Sequence, residues 1–177
     1  CLVISALIIP LVSLALRRYQ RRISALATTD LLTELPNRRG FDLLANQAVQ
    51  EARRAPSPLC ALMLDLDNFK QLNDSQGHMA GDEMLRGFAS DLRNTVRQSD
   101  IICRWGGEEF ILLLKDTTPE QARELGEKIR QQTEQNSIHF NGVQLQITTS
   151  IGLAQLQADE SLEQLIARAD LAMYCVK

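Results

Sequence analysis

Aromatic side chains make up only 5% of the 177 residues, and glycine (nine) and proline (five) are sparse as well. So little glycine and proline excludes a collagen-like repeat, a mucin-like stalk and a disordered linker. The four cysteines, Cys1, Cys60, Cys103 and Cys175, are scattered without a C-x-x-C pair. That spacing excludes a zinc knuckle and a thioredoxin-type motif and suggests reduced, cytosolic thiols. Positive charge is not in excess either, since nineteen Lys and Arg face twenty-two Asp and Glu for a net −3. The chain therefore has no basic footprint for a nucleic-acid backbone. What it does have is 45% hydrophobic and 23% charged residues. This suits one globular domain burying about 70% of its unfolded surface.

The apolar residues are unevenly spread. Residues 1–16, CLVISALIIPLVSLAL, hold thirteen hydrophobic side chains and no charge, and lead into Arg17, Arg18, Arg21 and Arg22. Such a run falls short of the ~20 residues that span a hydrocarbon core, and it opens on Cys rather than Met. It reads as a transmembrane helix cut at its outer end. Arginines after the run place the rest of the chain on the cytoplasmic side of the inner membrane. A signal peptide would carry its positive charge before the run and a small-residue cleavage site after it. Tyr19, Ile23 and Leu26 have the 4-then-3 spacing of a heptad seam, which suggests a short helical stalk over residues 17–29 able to pair with a second copy. Setting the four collar arginines aside leaves residues 23–177 with fifteen basic against twenty-two acidic residues, a net −7.

Beyond the stalk, the spacing predicts a helix from about Arg38 to Arg54, ended by Pro56-Ser57-Pro58. Leu59 to Leu64 is an unbroken apolar run reaching Asp65, a central strand buried on both faces with a carboxylate at its C-terminal end. Residues 68–75 lead to a turn at Gly77-His78, and a helix over about 81–97 carries Leu85, Phe88, Leu92 and Val96 on one stripe. Strands at 100–105 and 108–114 flank Gly106-Gly107, a tight hairpin whose turn needs positive φ. Thr118-Pro119-Glu120-Gln121 combines an N-cap, a Pro at the first helical position and a capping-box partner for a helix to about Gln135. Asn141-Gly142 turns a second hairpin, whose alternating strand runs from Val143 to Leu153, and Ser161 with Gln164 caps a last helix. The core order β-α-β-β-α-β is ferredoxin-like. It predicts an α+β fold with helices on one face of the sheet, an extra β-hairpin and a final helix.

Asp65-Leu66-Asp67 at a strand end and Glu108-Glu109 at the start of a hairpin strand can converge across such a sheet. Hard carboxylate oxygens gathered this way suit Mg²⁺, which keeps several waters and completes its shell with substrate phosphates. Successive strand residues point to opposite faces, so Glu108 and Glu109 should do different jobs. An EF-hand loop is excluded, because Phe69 and Lys70 stand where it needs an oxygen ligand and a glycine.

Arg104-Trp105-Gly106-Gly107-Glu108-Glu109-Phe110 resembles the signature of the GGDEF family, the diguanylate cyclases, in its GGEEF form. Four more blocks resemble the same family in order. They are Asp30 through Arg39 (DLLTELPNRR), Asp65 through Asp74 (DLDNFKQLND) with Gly77-His78 and Gly81-Asp82, Thr149-Ser150-Ile151-Gly152, and Ala169 through Tyr174 (ADLAMY). The resemblance covers residues 30–177 and implies a palm-like sheet that condenses two GTP into cyclic di-GMP and two pyrophosphates. Each protomer of a homodimer of domains holds one GTP, with Mg²⁺ (or Mn²⁺) as cofactor. Carried over by position, Asp65, the Leu66 carbonyl and Glu108 bind the metal. Glu108 also assists loss of the 3′-hydroxyl proton, and Glu109 is a supporting acid. Asn73 and Asp82 match the guanine-reading pair, an amide and a carboxylate for the base's acceptor and donor edge. His78 lines the nucleotide pocket or is simply a turn residue, while Phe69, Lys70 and Lys177 match phosphate contacts.

Arg97-Gln98-Ser99-Asp100, five residues before Gly106, resembles the family's RxxD inhibitory site for bound product. Arginine can stack on guanine and grip phosphate while the carboxylate takes guanine N–H groups. Lys128 and Arg130 are candidates for further basic contacts from the other protomer. Two departures stand out: Val176 replaces a usually small residue, and the family's Arg about four positions after the lysine matched by Lys177 falls past the end of the sequence. Either the natural chain continues past Lys177 or its triphosphate clamp is incomplete, and the opening on Cys rather than Met favours a domain truncated at its C-terminal end. Two other readings are a catalytically silent cyclic di-GMP or GTP-binding regulatory domain, and a GTP-binding regulator of a phosphodiesterase module elsewhere in a longer chain.

Overall fold

The computed structural model describes residues 28–175. The apolar run, the basic collar, the heptad seam and the phosphate-contact candidate Lys177 lie outside them. Among the described residues no helix is long and apolar enough to cross a membrane.

Helix α1 (Arg38–Arg54) starts where the Asn37 side chain accepts a hydrogen bond from Gly40 N–H at 3.0 Å, and Arg53 and Arg54 complement the helix dipole in its last turn. Strand β1 (Leu59–Leu66) is buried at all eight positions. Next come two helices, α2 (Phe69–Gln76) and α3 (His78–Thr95), then strands β2 (Ile101–Gly106) and β3 (Glu109–Lys115). Helix α4 (Pro119–Gln135) begins at a full capping box formed by Thr118 and Gln121. A short ribbon of β4 (Ile138–Phe140) and β5 (Val143–Leu145) precedes β6 (Thr149–Gln155) and α5 (Leu162–Tyr174), which Ser161 and Gln164 cap in the same way.

The main sheet has the order β2-β3-β1-β6, and every neighbouring pair is antiparallel. This is the ferredoxin-like arrangement expected from the sequence. Its helices occupy both faces, which corrects the one-face expectation. Cys60, Leu62, Leu64 and Leu66 pack with Phe88 and Leu92 of α3 and Ile129 of α4. On the other side Leu59, Ala61 and Met63 pack with Phe41 and Ala45 of α1 and Leu165 and Ala169 of α5. The two crossover helices fill the first face, and the flanking helices close the second. Cys60 and Cys103 are buried free thiols, and burial pushes them up to about 11 and about 12.

Three boundaries differ from expectation. Residues 69–76, for which the spacing predicts no element, form α2, and α3 begins at His78 instead of near 81. The alternating run from Val143 to Leu153 is two strands, with β5 pairing only with β4 and β6 entering the main sheet beside β1. In the signature hairpin only Gly107 takes a positive φ, +53°, and Trp105 is an extra residue between the Arg104–Phe110 and Gly106–Glu109 pairs. That bulge re-aims the turn. Outside β2, Asn37 pairs in parallel with Arg104, and Arg104 N–H donates to Pro36 O at 3.0 Å.

Candidate active site

The acidic groups meet at one end of the sheet. Asp65, the next-to-last residue of β1, is in register with Glu109, the first residue of β3, so both side chains leave the same face. Glu108 stands in the turn one residue earlier, and its carbonyl accepts from Leu66 N–H at 3.3 Å. Asp65 is only 7% exposed, and its carbonyl accepts from the Thr149 hydroxyl at 3.0 Å. A carboxylate this buried requires compensation by polar or cationic partners.

Asp67 has a different role from its neighbour. Its two carboxylate oxygens accept from the hydroxyls of Thr148 and Ser150, both at 2.7 Å, and its N–H donates to Thr148 O at 2.9 Å. Asp67 therefore locks the end of β1 to the entry of β6. Neither hydroxyl stands out in the sequence as a site residue, although Ser150 lies within one of the family-like blocks. Among the described residues no three His, Cys, Asp or Glu side chains gather as a metal cage. Asp65, Glu108 and the Leu66 carbonyl, at the same end of the sheet, would offer a smaller, all-oxygen donor set. It fits a Mg²⁺ ion that takes its remaining ligands from waters and substrate phosphates.

Next to the acids, Asn68 adopts a left-handed conformation (φ +56°) and turns the chain into α2. Phe69 and Lys70 occupy its first turn, where unpaired backbone N–H groups and the helix dipole favour an anion. The Phe69 ring is buried at 7% exposure, and Lys70 is exposed. Helices α2 and α3 join at Gly77 (φ +86°), whose N–H donates to Asn73 O at 2.8 Å. This connection places Asn73 against Gly81, beside Asp82, with His78 exposed at the start of α3. The Asn73 Oδ1 is buried without a hydrogen-bond partner among the described residues. An orphaned acceptor costs about 1–3 kcal/mol, so a side chain left in this state calls for an explanation.

The candidate inhibitory pair forms its own turn. Asp100 Oδ2 accepts from Arg97 N–H at 3.1 Å, Oδ1 accepts from Lys115 N–H at 3.3 Å, and Asp100 N–H donates to Arg97 O at 3.1 Å. The Arg97 side chain is exposed. On α4, Arg130 is held by Glu127 and Glu134, each at 2.9 Å, so its charge is already balanced within the helix.

Arg104 contributes in a way the sequence did not disclose. Its Nε and Nη2 donate to Gly107 O at 3.0 and 2.8 Å, and Nη1 reaches the Asp30 carboxylate at 3.1 and 3.2 Å. Asp30 also accepts from Thr33 Oγ1 at 2.7 Å and Thr33 N–H at 2.9 Å. Arg38 stacks 4.3 Å over Trp105, which meets Phe41 edge-on. The segment before α1 is thereby fastened to the acidic turn.

A family model described as "Diguanylate cyclase, GGDEF domain" matches residues 27–177. The chain belongs to the GGDEF family. This GGDEF domain is 42% identical over 151 residues to the diguanylate cyclase DgcP of Pseudomonas aeruginosa, covering 85% of this chain and 22% of DgcP. It is 36% identical over 149 residues to the diguanylate cyclase DosC of Escherichia coli K12, covering 84% of this chain and 32% of DosC. The chain thus spans less than a third of the length of either relative. Among solved structures, it resembles the GGDEF domain of DgcB from Caulobacter crescentus in complex with cyclic di-GMP. That likeness has a TM-score of 0.80 and 33% identity, over 84% of this chain and 86% of that one.

Proposed function

We propose that this GGDEF domain is a diguanylate cyclase that condenses two GTP into cyclic di-GMP and two pyrophosphates. The observation that carries the reading is the meeting of Asp65 with the Glu108-Glu109 turn at one end of the sheet. Asp65, Glu108 and the Leu66 carbonyl would hold Mg²⁺, which when bound would lower the pKa of the attacking 3′-hydroxyl and neutralise charge on the α-phosphate and pyrophosphate. The 3′-oxygen forms a bond to the α-phosphorus of the other nucleotide, and the bond to the pyrophosphate oxygen breaks. Glu108 assists departure of the hydroxyl proton, and Glu109 supports the acidic corner. The Phe69 N–H and Lys70 receive the phosphates together with Lys177, while Asn73 and Asp82 read the base and His78 lines the pocket.

One domain carries one such base site, so a complete reaction requires two domains facing each other, as a homodimer. Residues 1–16 and their arginine collar support anchoring at the inner membrane, with the domain in the cytoplasm. Bound product stops turnover through Arg97 and Asp100. The test incubates the protein with GTP and Mg²⁺ and monitors nucleotides by chromatography. Cyclic di-GMP is expected, and Glu108→Ala should abolish it. No product from the wild-type protein, or equal product from the variant, overturns the reading.

A further inference from the structure

Gly81 lies within the first turn of α3, and the side chain facing it is Asn73 of α2. A Cβ built at Gly81 collides with Asn73 Oδ1 and comes within 3.0 Å of both Asn73 Cγ and the tip of the Phe69 ring. The same Oδ1 is the buried acceptor that no donor satisfies among the described residues. Among the described residues no donor reaches that oxygen, so packing against Gly81 and Phe69 sets where the amide group sits. We infer that Gly81 is a positioning residue for base recognition, because its missing side chain leaves the space that the Asn73 amide occupies.

This rests on the reading of Asn73 and Asp82 as the guanine contacts. Asp82 can only accept when ionised, whereas an amide can present either end. Seated against Gly81, the Asn73 amide can turn its donor to the base while Asp82 supplies the acceptor. With the amide displaced, the base would lose that partner. Guanine and adenine differ in the order of their donors and acceptors, so the fixed amide serves selection as well as affinity. The backbone is not what the added carbon meets. Asn73 can swing aside, and alanine is the better helix former at a helical position. Gly81→Ala therefore leaves the fold intact and acts on the nucleotide.

The experiment measures initial rates of pyrophosphate release against GTP and ATP, together with thermal melting, for Gly81→Ala, Asn73→Ala and the double variant of the full chain. Gly81→Ala should raise KM for GTP tenfold or more with kcat within threefold, and narrow the preference for GTP over ATP. In the Asn73→Ala background the oxygen is gone, so adding Gly81→Ala should raise KM no further and should not lower the melting temperature. An unchanged KM in Gly81→Ala, with a raised one in Asn73→Ala, overturns the inference and leaves the base-site reading standing. An equal rise from Gly81→Ala in both backgrounds also overturns it, since the effect would then bypass Asn73. So does failure of both Gly81→Ala chains to fold. An Asn73→Ala chain with wild-type KM and nucleotide preference removes the base-site reading itself.

Discussion

Arg104 and Asp30 form an ion pair across 74 residues of sequence, and the same guanidinium holds the carbonyl of Gly107 in the acidic turn. Their side chains are 16% and 24% exposed, so solvent screens the pair only in part. Arg104→Ala removes both anchors. It should cost about 1–3 kcal/mol in denaturant unfolding and lower the rate of cyclic di-GMP formation by more than the stability loss explains. Arg104→Lys keeps the charge without the planar fork, and should recover stability better than rate.

The same pair predicts an acid limit. Burial works against ionised Asp30, but the Thr33 hydroxyl, the Thr33 backbone N–H and Arg104 together outweigh it and hold the carboxyl below its ordinary value of 3.8. A carboxyl depressed by folding stabilises the protein fully above its unfolded pKa. That contribution disappears as pH falls below 3.8 through the lower, folded value. Asp30→Asn should therefore flatten the pH dependence of the melting temperature below about pH 4. An equally steep profile would contradict the assignment.

Gly152 lies where β6 crosses under α5. A Cβ there collides with the carbonyl oxygen of Ala169 and the backbone nitrogen of Met173, and lies 2.7 Å from Met173 Cα. Backbone cannot rotate away as Asn73 can. Gly152→Ala should thus destabilise by about 3 kcal/mol or more, seen as a lower midpoint in denaturant.

Arg97 is the cleaner probe of product inhibition. Its backbone N–H, which alanine retains, is what binds Asp100, whereas its side chain is exposed. Arg97→Ala should raise the inhibition constant for cyclic di-GMP at least tenfold without lowering the initial rate. An Asp100→Ala chain would lose the bonds to Arg97 and Lys115 and mix folding with regulation.

Much of this was legible in the residues. The capping boxes at Thr118 and Ser161, the buried strand at 59–66 and the meeting of Asp65 with the hairpin acids come from local rules of spacing and pairing. The short helix at 69–76 did not show, because Phe69 and Leu72 are too few apolar residues to set a period. Nor did the break after Leu145, since alternation reports which side faces inward and says nothing about which strand is the neighbour. Covering helices on the second face were implied by the uniformly apolar β1, yet the ferredoxin-like order suggested only one layer. The Arg104 bridge needed the topology, as Asp30 and Arg104 lie in separate blocks with nothing in either to name the other.

The pairing of Pro36 and Asn37 with Arg104 has a colloidal meaning too. β2 is the outermost strand on its side of the sheet, and the open edge of such a strand is a template for another chain to add to. Here the chain's own lead-in occupies part of that edge, and the bulge at Trp105 bends the rest. A fragment starting after Asn37 would lose this guard. It would be expected to clump through β2 even with every acidic residue of the site in place.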